Sequence, residues 1–145
     1  MTDRALSVTV NYVMSIGIAT ILLSALIVST GASIETRREE AIRSELDVVG
    51  ERLAASIESA DRLALAGGEE VDVAVQLPDR VAGKPYEITV DPGPGSSDLL
   101  LETGDPGVTV TVGFSNTTTV EPSTVRGGTV RVVLAADGDL EVREP

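Results

Sequence analysis

The chain has 145 residues, a formal net charge of −12, no cysteine and no histidine, which leaves room for one apolar segment and one small folded domain. The missing residue types exclude disulfide staples, thiolate metal sites and the usual general base and zinc ligand, and the acidic balance disfavours nucleic acid as a partner. Tyr12, Tyr86 and Phe114 are the aromatic residues, so a core has to be built from Val, Leu, Ile and Ala.

Residues 6–34 carry no charge, with Asp3 and Arg4 before them and Glu35 directly after. As a helix this run reaches about 43 Å, against roughly 30 Å of bilayer hydrocarbon, so one helix spans. It outlasts the ~7 to 15 apolar residues of a secretory signal and has no small-x-small cleavage site at its far end, so it is expected to be retained. Asp3-Arg4-Ala5 followed by Leu6-Ser7-Val8 and a long apolar helix resembles the processing site of archaeal type IV pilins, haloarchaeal ones in particular. The resemblance implies that a prepilin peptidase cuts between Ala5 and Leu6, and that the helix stays on the mature subunit and packs against other pilin-like subunits. Val8 stands where many haloarchaeal pilins carry proline, and the leader has a single arginine. Lys84 is the sole lysine. An acidic, lysine-poor composition resembles proteins of extreme halophiles, where molar salt screens self-repulsion at short range, although an ordinary acidic surface domain has the same sign of charge.

Within the run, Ser7, Asn11, Ser15 and Ala19 recur every four residues and share one helix face. Two readings stand side by side. The stripe is a packing face that lets neighbouring backbones approach and hydrogen-bond, or it is a set of single small residues in a lone anchor whose hydroxyls bond their own i−4 carbonyls. Asn11 separates them best, because an unpaired amide in hydrocarbon is costly. Residues 29–33 have weak helix propensity, and a bend is expected there.

From Glu35 to residue 66 charge alternates while Ile42, Leu46, Val49, Leu53, Ile57, Ala60 and Ala64 step by three or four. This is an amphipathic helix, with pairs such as Glu39 to Arg43 and Glu58 to Arg62 expected on its wet face. Gly67-Gly68 is the expected stop.

Beyond Gly68 the period becomes two. Val71, Val73 and Val75, then Tyr86, Ile88 and Val90, then Val108, Val110 and Val112 read as half-buried strands, with further strands at 99–102, 117–121, 129–134 and 140–143. Pro and Gly mark the connections, and Asp137-Gly138 reads as a tight hairpin turn. The expected class is α+β: a long hydrophobic-then-amphipathic helix followed by a small antiparallel, sandwich-like head over 69–145.

Chemistry is sparse. Asp137-Gly138-Asp139 lacks the further ligands and distal Glu of a calcium loop, and residues 93–97 lack the Lys and the helix of a phosphate loop. Glu69-Glu70 adjoins the helix stop and reads as solvated surface. No catalytic, metal or cofactor site is expected. Asn116-Thr117-Thr118 is an N-glycosylation acceptor pattern, with Asn116 as the acceptor in an extracellular domain. Arg4 precedes the apolar run and Arg37, Arg38 and Arg43 follow it, so the positive-inside rule alone places the β domain in the cytoplasm. The pilin resemblance places it outside, and Asp and Glu interleave with those arginines. The expectation is therefore a membrane-lipid-anchored, pilin-like surface protein with an extracellular head, a subunit or minor component of a type IV pilus-like filament. The alternative is a single-pass envelope accessory protein that does not form filaments.

Overall fold

A computed structural model describes residues 2–68 and 70–145, and side chains from Ser7 onward except at 30, 32, 33 and 69. The side chains of the expected processing pair, Ala5 and Leu6, lie outside the described residues, as does Glu69. The chain is α+β. Helix α1 (Thr2–Leu65) is followed by β1 (Asp72–Gln76), β2 (Tyr86–Asp91), β3 (Ser96–Thr103), β4 (Thr109–Ser115), β5 (Ser123–Arg126), β6 (Thr129–Leu134) and β7 (Leu140–Arg143). Two compact units divide it, Met1–Arg38 and Glu39–Pro145.

From Thr2 the first unit is helical, and the helix runs unbroken through the weak patch at residues 29–33. Ser and Thr cost tenths of a kcal/mol each and Gly31 about 1 kcal/mol, too little to break a helix that is propagating on both sides.

The second unit, here called the head, is organised by the stripe of α1 from Glu39 onward. Ile42, Leu46, Val49, Leu53, Ile57 and Ala60 are buried, and Ala64 packs at the margin. Their partners come from two antiparallel sheets, ordered β1-β6-β7 and β4-β3-β2-β5. In the four-stranded sheet Leu99 and Leu101 of β3, Ile88 and Val90 of β2 and Val110 and Phe114 of β4 face inward. Gly50 marks the closest approach of helix and sheet. A Cβ there would stand 2.6 Å from Val112 Cγ2 and 2.9 Å from Leu101 Cδ1.

The helix ends as the glycine pair requires. Gly67, at φ +88°, donates its N–H to the Ala64 carbonyl and Gly68 donates to Leu63, the paired bonds of a Schellman cap. The 117–121 segment differs from expectation: only Val120 makes a β-bridge, to Leu140, and the fifth strand is Ser123–Arg126. The N–H groups of Thr117 and Thr118 are taken by a helix carboxylate, so they are not offered to a strand ladder. The β6–β7 hairpin turns through Ala135 to Asp139, with Gly138 at φ +94° donating to the Ala135 carbonyl.

Tyr86 latches the start of β2. Its hydroxyl donates to the Pro78 carbonyl at 2.6 Å, and its ring lies so close to Gly127 that a Cβ there would come within 2.4 Å of it. Burial, with a smaller push from Asp79, raises the phenol to about 12. Tyr86→Phe keeps the ring and leaves the Pro78 carbonyl without this donor; the expected cost is about 1 kcal/mol, read from urea unfolding of the wild-type and variant chains.

Candidate functional site

Two regions carry the residues with functional potential. In the first unit, the described apolar side chains between Val8 and Ile34 are exposed, Leu22, Ile27 and Val28 among them. The helix is long and apolar enough to cross a membrane. Ser7, Asn11, Ser15 and Ala19 are exposed as well, and they lie along one face at intervals of four. Ser15 Oγ donates to the Asn11 carbonyl at 2.8 Å, Thr20 to Ile16 and Ser24 to Thr20. These hydroxyls are satisfied within their own helix. Among the described residues the Asn11 side-chain amide has no hydrogen-bond partner, so its donors and acceptor face outward from the exposed helix.

In the head, three carboxylates at the margins of the apolar stripe accept backbone N–H groups from the β region. Glu45 Oε2 accepts from Ala82 at 2.6 Å, Glu58 Oε1 from Ser115 at 3.2 Å, and Asp61 from Thr117 at 3.2 Å and Thr118 at 2.8 Å. Each receiver suits its loop. Ala82 sits at φ +45° with Gly83 at φ +78° in a two-residue hairpin closed by Val81 and Lys84, a conformation that turns the Ala82 N–H toward the helix. Asp61 is 6% exposed. Thr117 and Thr118 leave β4 with adjacent N–H groups pointing the same way, an arrangement that holds an anion. The expected ion pairs Glu39 to Arg43 and Glu58 to Arg62 are not formed among the described residues, and Glu58 is occupied by Ser115 instead.

Asn116, the expected glycan acceptor, is half-buried in the same loop. Its Oδ1 accepts from Ser97 Oγ at 2.9 Å, and its Nδ2 donates to the Thr118 carbonyl at 3.0 Å. Ser97 is 2% exposed and also accepts from Gly93 N–H. Helix, 116–118 loop and 93–97 loop are thereby joined through Asp61, Asn116 and Ser97. Asn116 also lines an open groove of about 730 Å³ together with Pro92, Pro94 and Thr119. Elsewhere, Glu121 joins Asp137 and Asp139, one carboxylate oxygen of each lying within 4.8 Å of the others. Asp137 accepts the N–H of Asp139 at 3.2 Å, the bond of a turn.

A family model described as a family of unknown function (DUF7266) matches residues 1–143. The chain belongs to the DUF7266 family. Neither curated proteins nor solved structures give a match.

The Asp61 clasp gives this DUF7266 chain an acid-sensitive element. Burial alone would push the carboxyl up, but the Thr118 hydroxyl, the N–H groups of Thr118 and Thr117 and the charge of Arg62 outweigh it, leaving the pKa below its ordinary 3.8. With the folded pKa below the unfolded one, the clasp stabilises fully above the ordinary carboxylate range, and its contribution is lost as pH falls through the folded value. Asp61→Ala is expected to lower head stability by about 2 to 3 kcal/mol at neutral pH, because two N–H groups lose their acceptor. Denaturation at neutral pH and again in acid checks this: the gap between wild type and variant should narrow in acid.

Asp61, Glu45 and Glu58 escape a periodicity reading because they are polar residues next to stripe positions. Their one signal is position: each immediately precedes or follows a buried stripe residue, Leu46, Ile57 or Ala60.

Proposed function

We propose that this protein is a pilin-like surface subunit whose N-terminal helix first anchors the precursor in the membrane and then packs in the core of a filament, with the head outside the cell. The observation that carries the reading is the helix of the first unit: apolar, exposed along its length, and bearing an outward Asn11 amide without a partner among the described residues. In lipid that amide is costly, and against a neighbouring helix it is satisfied. The leader resemblance around Ala5 and Leu6 adds a route: a prepilin peptidase removes residues 1–5, and subunits exchange lipid contacts for helix contacts. The activity is assembly, with no catalysis, metal or cofactor, and Asn116 would carry a glycan. The acidic, lysine-poor composition accords with a halophilic archaeal source.

A second reading, a single-pass envelope accessory protein, draws on Ser15, Thr20 and Ser24, whose hydroxyls need no partner from outside. N-terminal peptide mass spectrometry of native envelopes and sheared filaments separates the two. A terminus at Leu6 in the sheared fraction is the expected result, and an intact leader confined to membranes would favour the accessory protein.

A further inference from the structure

The head exposes few large apolar side chains among its described residues, and two of them sit in matched settings. Leu100 is 36% exposed at the centre of β3, on the sheet face that points away from the helix. Asp98 and Glu102 flank it two residues to either side on that face. Opposite them in the register stand Asp91, paired with Asp98, and Glu87, paired with Glu102. Like charges directly opposed across a sheet repel. Arg126 relieves one of the four, at 3.8 Å from Glu87. The result is an apolar knob inside a carboxylate frame in which Asp91, Asp98 and Glu102 have no ion-pair partner among the described residues.

Val48, 64% exposed, forms the complement. It lies with Val49 and Pro78 in an open hollow of about 380 Å³, flanked by Arg52 and Arg80. Among the described residues Arg52 makes no ion pair, and Arg80 reaches only the Gly83 carbonyl, at 3.3 Å. Glu45, the hollow's carboxylate, already accepts the N–H of Ala82. In a chain of net charge −12 this is an apolar depression with guanidinium groups free to meet carboxylates.

We propose that the Leu100 knob of one copy seats in the Val48 hollow of another, with Arg52 and Arg80 meeting Asp98 and Glu102. The occupant is a second copy of this chain, because knob and hollow match in both polarity and charge. Leu100 points away from the layer that carries Val48, so a head does not fill its own hollow. The contact is head-to-tail, and each added copy leaves one knob and one hollow open for the next. This deepens the filament reading and rests on it for the supply of neighbours. Its charged rim favours correct partner and register more than raw affinity.

The chain lacks cysteine, so introduced thiols are unique. Full-length chains carrying Val48→Cys and Leu100→Cys, distinguished by tag size, are co-expressed in the envelope and treated with a short bis-maleimide. A cross-link between the two variants, absent from either alone, is the expected result. Arg52→Glu on the Val48→Cys chain should lower the yield about ten-fold, and Asp98→Arg on the other chain should restore it. No mixed product, or a product from one variant alone, overturns the contact. The filament reading is scored separately by the N-terminus in sheared fractions. Leu6-terminated filaments without the cross-link sink the contact alone, and a cross-link in membranes without filaments supports the contact and sinks filament assembly.

Discussion

Gly50→Leu is expected to destabilise the head by about 3 kcal/mol or more, and to leave it without a cooperative unfolding transition if overall stability is near the low end for small domains. The position lies mid-helix, where glycine ordinarily costs about 1 kcal/mol relative to alanine. The fold accepts that cost because the backbone itself touches the sheet. Even a methyl group would meet Val112 Cγ2 at 2.6 Å and Leu101 Cδ1 at 2.9 Å. Leu101 is fully buried, so it has no free space into which to retreat. Gly50→Ala is the graded control: its helix-propensity gain of about 1 kcal/mol opposes an overpacking cost of about 1 to 3, for a smaller net loss. Thermal and urea unfolding of both variants check the order wild type, Ala, Leu. A Leu variant as stable as wild type would mean that helix and sheet lie farther apart than described.

Asn11→Leu is expected to abolish or strongly reduce filaments while leaving head stability within about 0.5 kcal/mol of wild type. The side chain is exposed and belongs to the first unit, outside the residues that build the head's core, so folding of the head gives no reason for it to matter. The substitution also makes the helix a better membrane anchor. A lone anchor would therefore tolerate or welcome it, whereas a packed helix loses its interhelical hydrogen bond and gains a bulkier side chain on a small-residue stripe. Ala19→Leu tests bulk on the same stripe without removing an amide. Counts of sheared filaments, with membrane-bound protein as the normalising measurement, give the answer. Undiminished filaments in both variants would remove the stripe from the assembly reading.

Much of the fold is legible in residue order because period and punctuation agree. The three-four stepping from Ile42 to Ala64 marks the buried helix face, and Gly67-Gly68 the cap that ends it. Alternation over β2, β3 and β4 gives strands whose inward residues are those that the pattern selects. Even the Leu99-Leu100-Leu101 run resolves once period two is imposed, although composition alone does not reveal that its middle member is the outward one. The 117–121 segment misleads because β-branched propensity describes side chains, while the deciding interaction is Asp61 claiming two backbone N–H groups from a helix more than fifty residues upstream. The Val48 hollow is invisible in sequence for a similar reason, since Pro78 and Arg80 reach it through a loop geometry set by the Glu45 bond to Ala82. Local rules give elements; distant carboxylates decide where the loops go.

The strand order also sets a timetable. β1 begins to be synthesised at Asp72, yet its ladder partner is β6, with Asp72 opposite Val133. At about 5 to 20 residues per second the ribosome needs roughly 3 to 12 s to deliver that partner. The β2-β3-β4 meander can pair locally in the meantime, but the three-stranded sheet waits for the last part of the chain. Any machinery that engages the apolar helix during translation therefore meets a nascent chain whose head does not yet exist. A chain truncated before Thr129 would present the same N-terminal segment to that machinery and never complete the domain behind it.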